Sequence, residues 1–195
     1  MILSTIVPNN YMMPFEAVKS WLKLPKYPFV YAQGPDLDFN RNFVWRQVKD
    51  KNDHLLMIDS DIVFTPDDVE AIENHLERGY DAITGIYPVG MEPYPPCVFK
   101  RIVGDYTMCE VQEGLNEIDA CGGGFLGIHR EVIKKMPNDP FDNIREGDIF
   151  HGEDISFCHR LKELGFKLWA DSSIQVAQIR TQSIYVNRIN TQKQE

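Results

Sequence analysis

The sequence predicts an α/β fold in one domain: a mixed, mostly parallel central sheet flanked by helices. Three observations carry that prediction. Over residues 1–90, short apolar segments alternate with capped, amphipathic helical segments, the order that builds parallel strands with helices on both faces. The segment HLLMI at 54–58 is almost continuously apolar, as a strand covered on both sides must be. The chain has 195 residues, 43% hydrophobic and 25% charged, enough for a sizeable core and ordinary for a globular protein.

The elements follow in order. Residues 2–7 form a strand ended by the turn Pro8-Asn9-Asn10. With no basic n-region and no small-residue cleavage site, this start reads as a strand and not as a signal peptide. Pro14 opens a helix with Phe15, Val18 and Leu22 on one face, and Pro25 stops it. Residues 29–32 are a second strand, broken at Gly34-Pro35. Asn40 is expected to cap a third element in which Val44 and Val48 lie four apart. The apolar run at 54–58 leads straight into Asp59-Ser60-Asp61. Thr65 then caps a helix, Pro66 takes its first position, Asp68 completes a Thr-x-x-Asp box and Gly79 follows the last turn. Val69, Ile72 and Leu76 give that helix a buried stripe, and residues 82–87 form a fourth strand.

The second half is less regular. Three prolines in residues 91–96 require a loop. Short strands are expected at 97–100, 106–111 and 117–120, joined by turns at Gly104-Asp105 and Glu113-Gly114. Gly122-Gly123-Gly124 precedes a strand at 125–128 and a short helix ending near Pro137. Residues 138–152 read as loop. A helix over 153–164 carries Phe157, Leu161 and Leu164 on one stripe, with Gly165 as its stop. Strands at 167–169 and 174–177 come last, and a polar tail, 181–195, is expected to be mobile.

Charge and cysteines exclude several classes. With 29 acidic against 20 basic residues the net charge is -9, which argues against a nucleic-acid protein. No apolar run approaches the ~20 residues of a membrane span. The four cysteines form no C-x-x-C pair, so a structural zinc is not expected. Free thiols in a reducing, cytoplasmic compartment are.

Four motifs carry chemistry. Asp59 and Asp61 are i and i+2 of an extended segment, so both carboxylates face one side. They lie past the carboxyl end of a strand, where ligands of open α/β sheets bind. Oxygen ligands suit Mg²⁺ or Mn²⁺ with phosphate oxygens; the same triplet also reads as a polar turn before the Thr65-capped helix. Glu153 and Asp154 open the 153–164 helix, where acids complement the helix dipole. The alternative is a general base at Asp154 that accepts a proton from an acceptor hydroxyl, with Glu153 holding the acceptor and His151 near it. The triglycine lets backbone approach a ligand or takes positive φ, or is simply a flexible turn. Arg41-Asn42 follows the expected Asn40 cap, where an arginine reaches a phosphate or faces water.

Taken in order, these pieces resemble a GT-A glycosyltransferase, near the inverting family 2 and its small bacterial, phage and viral relatives. The matching stretches are HLLMIDSDIVFTPDDVEAI (54–72), ITGIYP (83–88), CGGGFLGIHREVIKKM (121–136) and GEDISFCHRLKELGFKLWAD (152–171), with Arg41-Asn42 ahead of them. The resemblance implies one nucleotide-diphospho-sugar transferase domain over residues 1–180, with a nucleotide-binding half (1–90) and an acceptor half (91–180). It implies a hexosyltransferase-like enzyme moving a sugar from a UDP- or GDP-sugar to a glycan, lipid or protein acceptor. Ser4, Thr5, Val7, Pro8, Gln33, Arg41, Asp59 and Ser60 would meet the sugar-nucleotide. Asp61, with Asp59, would hold Mn²⁺ or Mg²⁺; Gly122, Gly123, Gly124 and His151 would line the acceptor side; Asp154 and Glu153 would be catalytic. A viral or phage relative would act in the host cytoplasm. In so short a chain, the acceptor is expected to be held with help from a partner or a further domain.

Two departures stand out. Where many relatives carry a metal-ligating histidine after the last strand, this chain has Gln178, whose amide oxygen would be a further, weaker metal ligand, with Arg180 nearby to meet the diphosphate. The usual acidic turn after the second strand is replaced by Gln33-Gly34-Pro35-Asp36. A domain that binds sugar-nucleotide without turnover is the second reading. A nucleotidyltransferase would need a Gly-rich, basic loop after the first strand, and VPNNYMMPF has neither.

Overall fold

Leu55, Leu56, Met57 and Ile58 are each at most 1% exposed, and successive side chains enter opposite apolar layers. This is the physical result of an uninterrupted apolar strand in the middle of a sheet. The computed structural model describes residues 1–8, 12–24, 26–89, 94–102 and 104–179. The Asn9-Asn10 turn, the Pro25 stop, part of the proline-rich loop, Arg180 and the tail lie outside the described residues.

The elements are β1 (Ile2–Pro8), α1 (Phe15–Trp21), β2 (Phe29–Gly34), α2 (Leu37–Val48), β3 (Leu55–Asp59), β4 (Ile62–Val63), α3 (Pro66–Glu77) and β5 (Ala82–Ile86), then β6 (Val98–Ile102), β7 (Asp105–Met108), β8 (Leu115–Ile118), β9 (Ala120–Cys121), β10 (Phe125–Ile128) and α4 (Arg130–Lys135). Next come β11 (Ile144–Glu146), β12 (Ile149–His151), α5 (Glu153–Glu163), β13 (Leu168–Gln175) and β14 (Ala177–Gln178). The main sheet runs β2-β1-β3-β10-β5-β13-β8. β2, β1 and β3 are parallel, as are β5 and β13, while β10 lies antiparallel between β3 and β5 and β8 closes one edge antiparallel. Sheets β7-β6-β9, β11-β12 and β14-β4 are smaller. The α/β fold with a mixed central sheet flanked by helices is therefore what forms.

One apolar layer places Val69, Ile72 and Leu76 of α3 under Leu56, Ile58 and Phe125. The other packs Trp45 of α2 edge-on against Phe141 and Phe157, which stack at 4.6 Å. The Thr65 box is present: Asp68 N–H donates to Thr65 Oγ1 and Thr65 N–H to Asp68 Oδ2. Gly79 and Gly165 take φ of +91° and +82° at the ends of α3 and α5, the left-handed stop that glycine adopts at least cost. All four cysteines are free thiols.

Several local expectations change. α1 buries Ala17 and Ser20, while Phe15 and Leu22 are 72% and 75% exposed. Trp21, on the same face as Ala17 by helical spacing, anchors the helix edge-on to Phe29 and Phe64. Asn40 is not a cap. α2 starts after Asp36, and Asn40, one turn inside, donates Nδ2 to the Gly34 carbonyl, closing the end of β2. The expected strand at 117–120 divides between two sheets, β8 and β9. Residues 138–152 are not all loop, since β11 and β12 form a hairpin there. The last two expected strands are one long β13, whose register shifts between Asp171 and Gln175, followed by the short β14.

Candidate active site

The carboxyl ends of β1 and β3 set the site. Asp59 is the last residue of β3, and its N–H donates to the Gly124 carbonyl, so the strand end is fixed by backbone. Asp61 follows in the turn to β4. Because β14 pairs antiparallel with β4, Gln178 is brought beside Asp61: the Ile179 N–H donates to the Asp61 carbonyl at 2.8 Å and Gln178 Nε2 to Asp61 Oδ2 at 3.0 Å. Ile6, Pro8, Leu37, Asp59, Ser60, Asp61 and Gln178 line a cleft of about 360 Å³. Its size is at the small end of ligand sites, and its position is the one where such sheets bind ligands.

Arg41 joins this cleft to the start of α5. Its side chain is 3% exposed; Nε donates to Glu153 Oε1, Nη1 to the Gly123 carbonyl and Nη2 to Asp59 Oδ2, each at 3.2 Å. Asp59 Oδ1 also lies 3.1 Å from Nη2, but out of line for a hydrogen bond, and is left buried without a partner. Three carboxylates, Asp59, Glu153 and Asp154, thus act on one guanidinium, the first two in direct contact with it. Burial works against the Arg41 charge, but Asp59 and then Glu153 outweigh it and hold the group more firmly protonated than usual. Burial raises the Asp59 pKa, opposed by Arg41 and reinforced by Asp61 and Glu153. Asp154 is pushed up to about 6, first by burial, then by the Glu153 charge, with Arg41 opposing.

The remaining expected residues fall into place as follows. Ser4 and Thr5 are buried inside β1, Ser4 with its hydroxyl 3.5 Å from the Leu56 carbonyl and Thr5 with Oγ1 unpartnered; neither lines the cleft. Val7 is half-buried, and Pro8 and Ser60 stand at the cleft. Gln33 is exposed on the outer side of β2, away from it. Arg41 is neither at a helix start nor in water, and three of its five N–H groups donate to protein acceptors. Glu153 is engaged by Arg41 through Oε1. His151 is buried, with Nε2 3.3 Å from Glu146 Oε2 and its ring edge-on to Tyr106. Gln178 presents its amide nitrogen to Asp61 as a hydrogen-bond partner of the carboxylate.

Gly122, Gly123 and Gly124 do not use positive φ. Their need is for space: a Cβ would come within 2.4 Å of Tyr87 Oη at position 122, 2.6 Å of Arg41 Cζ at position 123 and 2.9 Å of Tyr87 Cζ at position 124. Tyr87, whose hydroxyl accepts from Gly124 N–H at 2.9 Å, is marked by none of the sequence motifs, and neither is Leu37 at the cleft. Tyr87 lies in the matched stretch ITGIYP, but only the fold reveals that its phenol supports the triglycine. Leu37, 42% exposed as the first residue of α2, carries a weak signal as an apolar residue directly after Gly-Pro-Asp.

Among the described residues no group of three or more His, Cys, Asp or Glu is arranged to hold a metal ion. Two carboxylates, one with an unpartnered buried oxygen, still fit a hard cation of the kind that takes its remaining ligands from water and phosphate. Among the described residues no helix is long and apolar enough to cross a membrane.

No family model and no curated protein matches the chain. Solved structures do. A197 from STIV superposes with a TM-score of 0.70 at 19% identity, over 98% of this chain and 100% of that one. A "putative nucleotide-diphospho-sugar transferase" from Desulfovibrio desulfuricans G20 superposes with a TM-score of 0.51 at 14% identity, over 92% of this chain and 82% of that one. The chain has a GT-A-like fold, the fold of nucleotide-diphospho-sugar transferases.

Proposed function

We propose that the protein is a cytoplasmic, metal-dependent glycosyltransferase that moves a sugar from a UDP- or GDP-sugar to an acceptor hydroxyl with inversion. The observation that carries this reading is the Arg41 bridge. It ties a cleft lined by Asp59, Ser60 and Asp61 to the carboxylate pair Glu153-Asp154, so a donor subsite and a candidate base adjoin.

Asp61 and Asp59 would hold Mn²⁺ or Mg²⁺ at the donor diphosphate. That cation supplies Lewis-acid stabilisation of the leaving nucleoside diphosphate. The protein's own residues do the rest. Asp154, its pKa pushed up to about 6 by burial and the Glu153 charge, is basic enough to accept a proton as the acceptor oxygen bonds to the sugar carbon. Arg41 neutralises part of the carboxylate cluster and keeps Glu153 and Asp59 in place. Gly122 to Gly124, held by Tyr87 and Arg41, form the wall toward the acceptor.

The test is incubation with UDP- and GDP-sugars and Mn²⁺, scoring hydrolysis or transfer. Asp61→Ala should abolish Mn²⁺-dependent nucleotide binding, and Asp154→Asn should abolish turnover while binding persists. Turnover that survives in both variants would sink the assignment. One observation favours a sugar-nucleotide-binding domain without turnover: Gln178 offers Asp61 an amide N–H where a further metal ligand would be expected. Tight Mn²⁺-dependent nucleotide binding with no transfer to any acceptor or to water would select it.

A further inference from the structure

The two edges of the main sheet are built differently. β8 is four residues long, and its Glu117 is met by Lys162 and Lys167. A short, charged edge of this kind repels a further strand. β2, FVYAQG, is six residues long, uncharged, free of proline and in unbroken register with β1. Leu3 N–H donates to the Pro28 carbonyl. The alternation of a parallel ladder then commits the peptide groups of Val30 and Ala32 to β1 and turns those of Phe29, Tyr31 and Gln33 outward. Among the described residues no strand pairs with that outer side.

Along the same edge, between β2 and α2, runs a groove of about 670 Å³ whose lining carries no charge. Phe29, Tyr31, Phe39 and Phe43 on it are 40–63% exposed. In a chain of net charge -9, an uncharged strip is where a second copy meets the least like-charge opposition.

We propose that β2 is a homodimer interface, pairing antiparallel with β2 of a second copy to continue the sheet. One register uses all three outward peptide groups on both copies: Tyr31 opposite its own counterpart, and Phe29 opposite Gln33, as hydrogen-bonded pairs. All residues brought together are uncharged, so the strand is complementary to itself. Closing the four rings buries roughly 400 Å² per copy, about half of what each partner gives a stable interface, and the strand backbone and α2 supply the rest.

Sedimentation velocity of the full chain should give a concentration-dependent species of twice the chain mass. Tyr31→Lys, which sets two like charges face to face, and Phe43→Glu on α2 should each weaken it by roughly 100-fold. Ile102→Lys, at an exposed apolar residue outside the groove, should leave it unchanged. Because a Tyr31→Lys chain could lose its fold, Tyr31→Cys provides a second test. In the stated register the paired Cα atoms are about 5.5 Å apart, within disulfide reach, so mild oxidation should give a covalent dimer that the wild-type thiols do not. A monomer at about 100 µM, with or without turnover, overturns the proposal, as does a wild-type dimer that resists both charge variants and leaves Tyr31→Cys uncrosslinked.

Discussion

Gln178 Nε2 donates to Asp61 Oδ2 across 3.0 Å, so the last described strand reaches back to the carboxylate that faces the donor cleft. A neutral amide there orients the carboxylate but adds no charge toward a cation. Gln178→His should raise Mn²⁺ affinity, measured by titration in the presence of UDP, by about tenfold or more, since imidazole is the better ligand for Mn²⁺. An unchanged affinity would place position 178 outside the cation's reach.

Arg41 should be the residue on which the site's integrity depends. Arg41→Met leaves Asp59 and Glu153 facing each other without their shared cation, and breaking a buried ion pair costs about 3–5 kcal/mol. Urea unfolding should show a loss of that order, with Arg41→Lys intermediate because one ammonium cannot span three acceptors.

The rate should follow the ionisation of Asp154. With Asp154 as the proposed base its carboxylate would be the reactive form, so kcat/KM should fall about tenfold per pH unit below about 6. Arg41 lowers this pKa, so in any Arg41→Lys enzyme whose ammonium sits farther away the acid limb should move to higher pH. A limb that stays put would remove Arg41 from the electrostatics of the base.

Stability should drop on mild acidification through His54. Its pKa is lowered by burial first, then by His129, and its Nδ1 accepts the Arg130 N–H at 3.1 Å. The folded state therefore holds the proton less well than the unfolded chain. Its contribution is complete above the unfolded value of about 6.5 and is lost as pH falls from there through the lower folded value. Urea midpoints of wild type should fall between pH 7.5 and 5.5, and those of His54→Asn, which retains an acceptor, should fall less.

Glycines at the site and at helix ends should behave differently. Gly123→Ala drives a Cβ to 2.6 Å from the Arg41 guanidinium carbon and should cost both stability and activity. Gly79→Ala meets open space but an unfavourable φ, so it should cost about 1 kcal/mol with activity intact.

What the sequence disclosed follows from the range of the interactions involved. The Thr65 box, the Gly79 and Gly165 stops and the doubly buried 55–58 strand are local, and all are readable from neighbouring residues. Asp59 and Asp61 announce themselves by position after that strand. What escaped depends on partners far along the chain. Arg41 meets Glu153 across 112 positions, and Asn42, its neighbour, holds Phe141 N–H and Asp142 instead. The triglycine was visible, but its reason, crowding by Tyr87 and Arg41, was not. α1 misled because seven residues are too few for three apolar side chains to declare a face, and Trp21 decided it.

The antiparallel β10 has a consequence for how the chain is made. β3 and β5 belong to the first ninety residues, yet they never touch as neighbours; Phe125–Ile128 lies between them, bonded to both. The amino-terminal ninety residues therefore supply only the ladder β2-β1-β3, and β5 has no partner among them, because both its neighbours, β10 and β13, come later in the chain. β10 joins that ladder to β5, and its pairing with β3 brings Gly124 to Asp59. The cleft is finished only when β14 sets Gln178 beside Asp61, so a chain interrupted before residue 128 should have neither the whole sheet nor the whole carboxylate cleft.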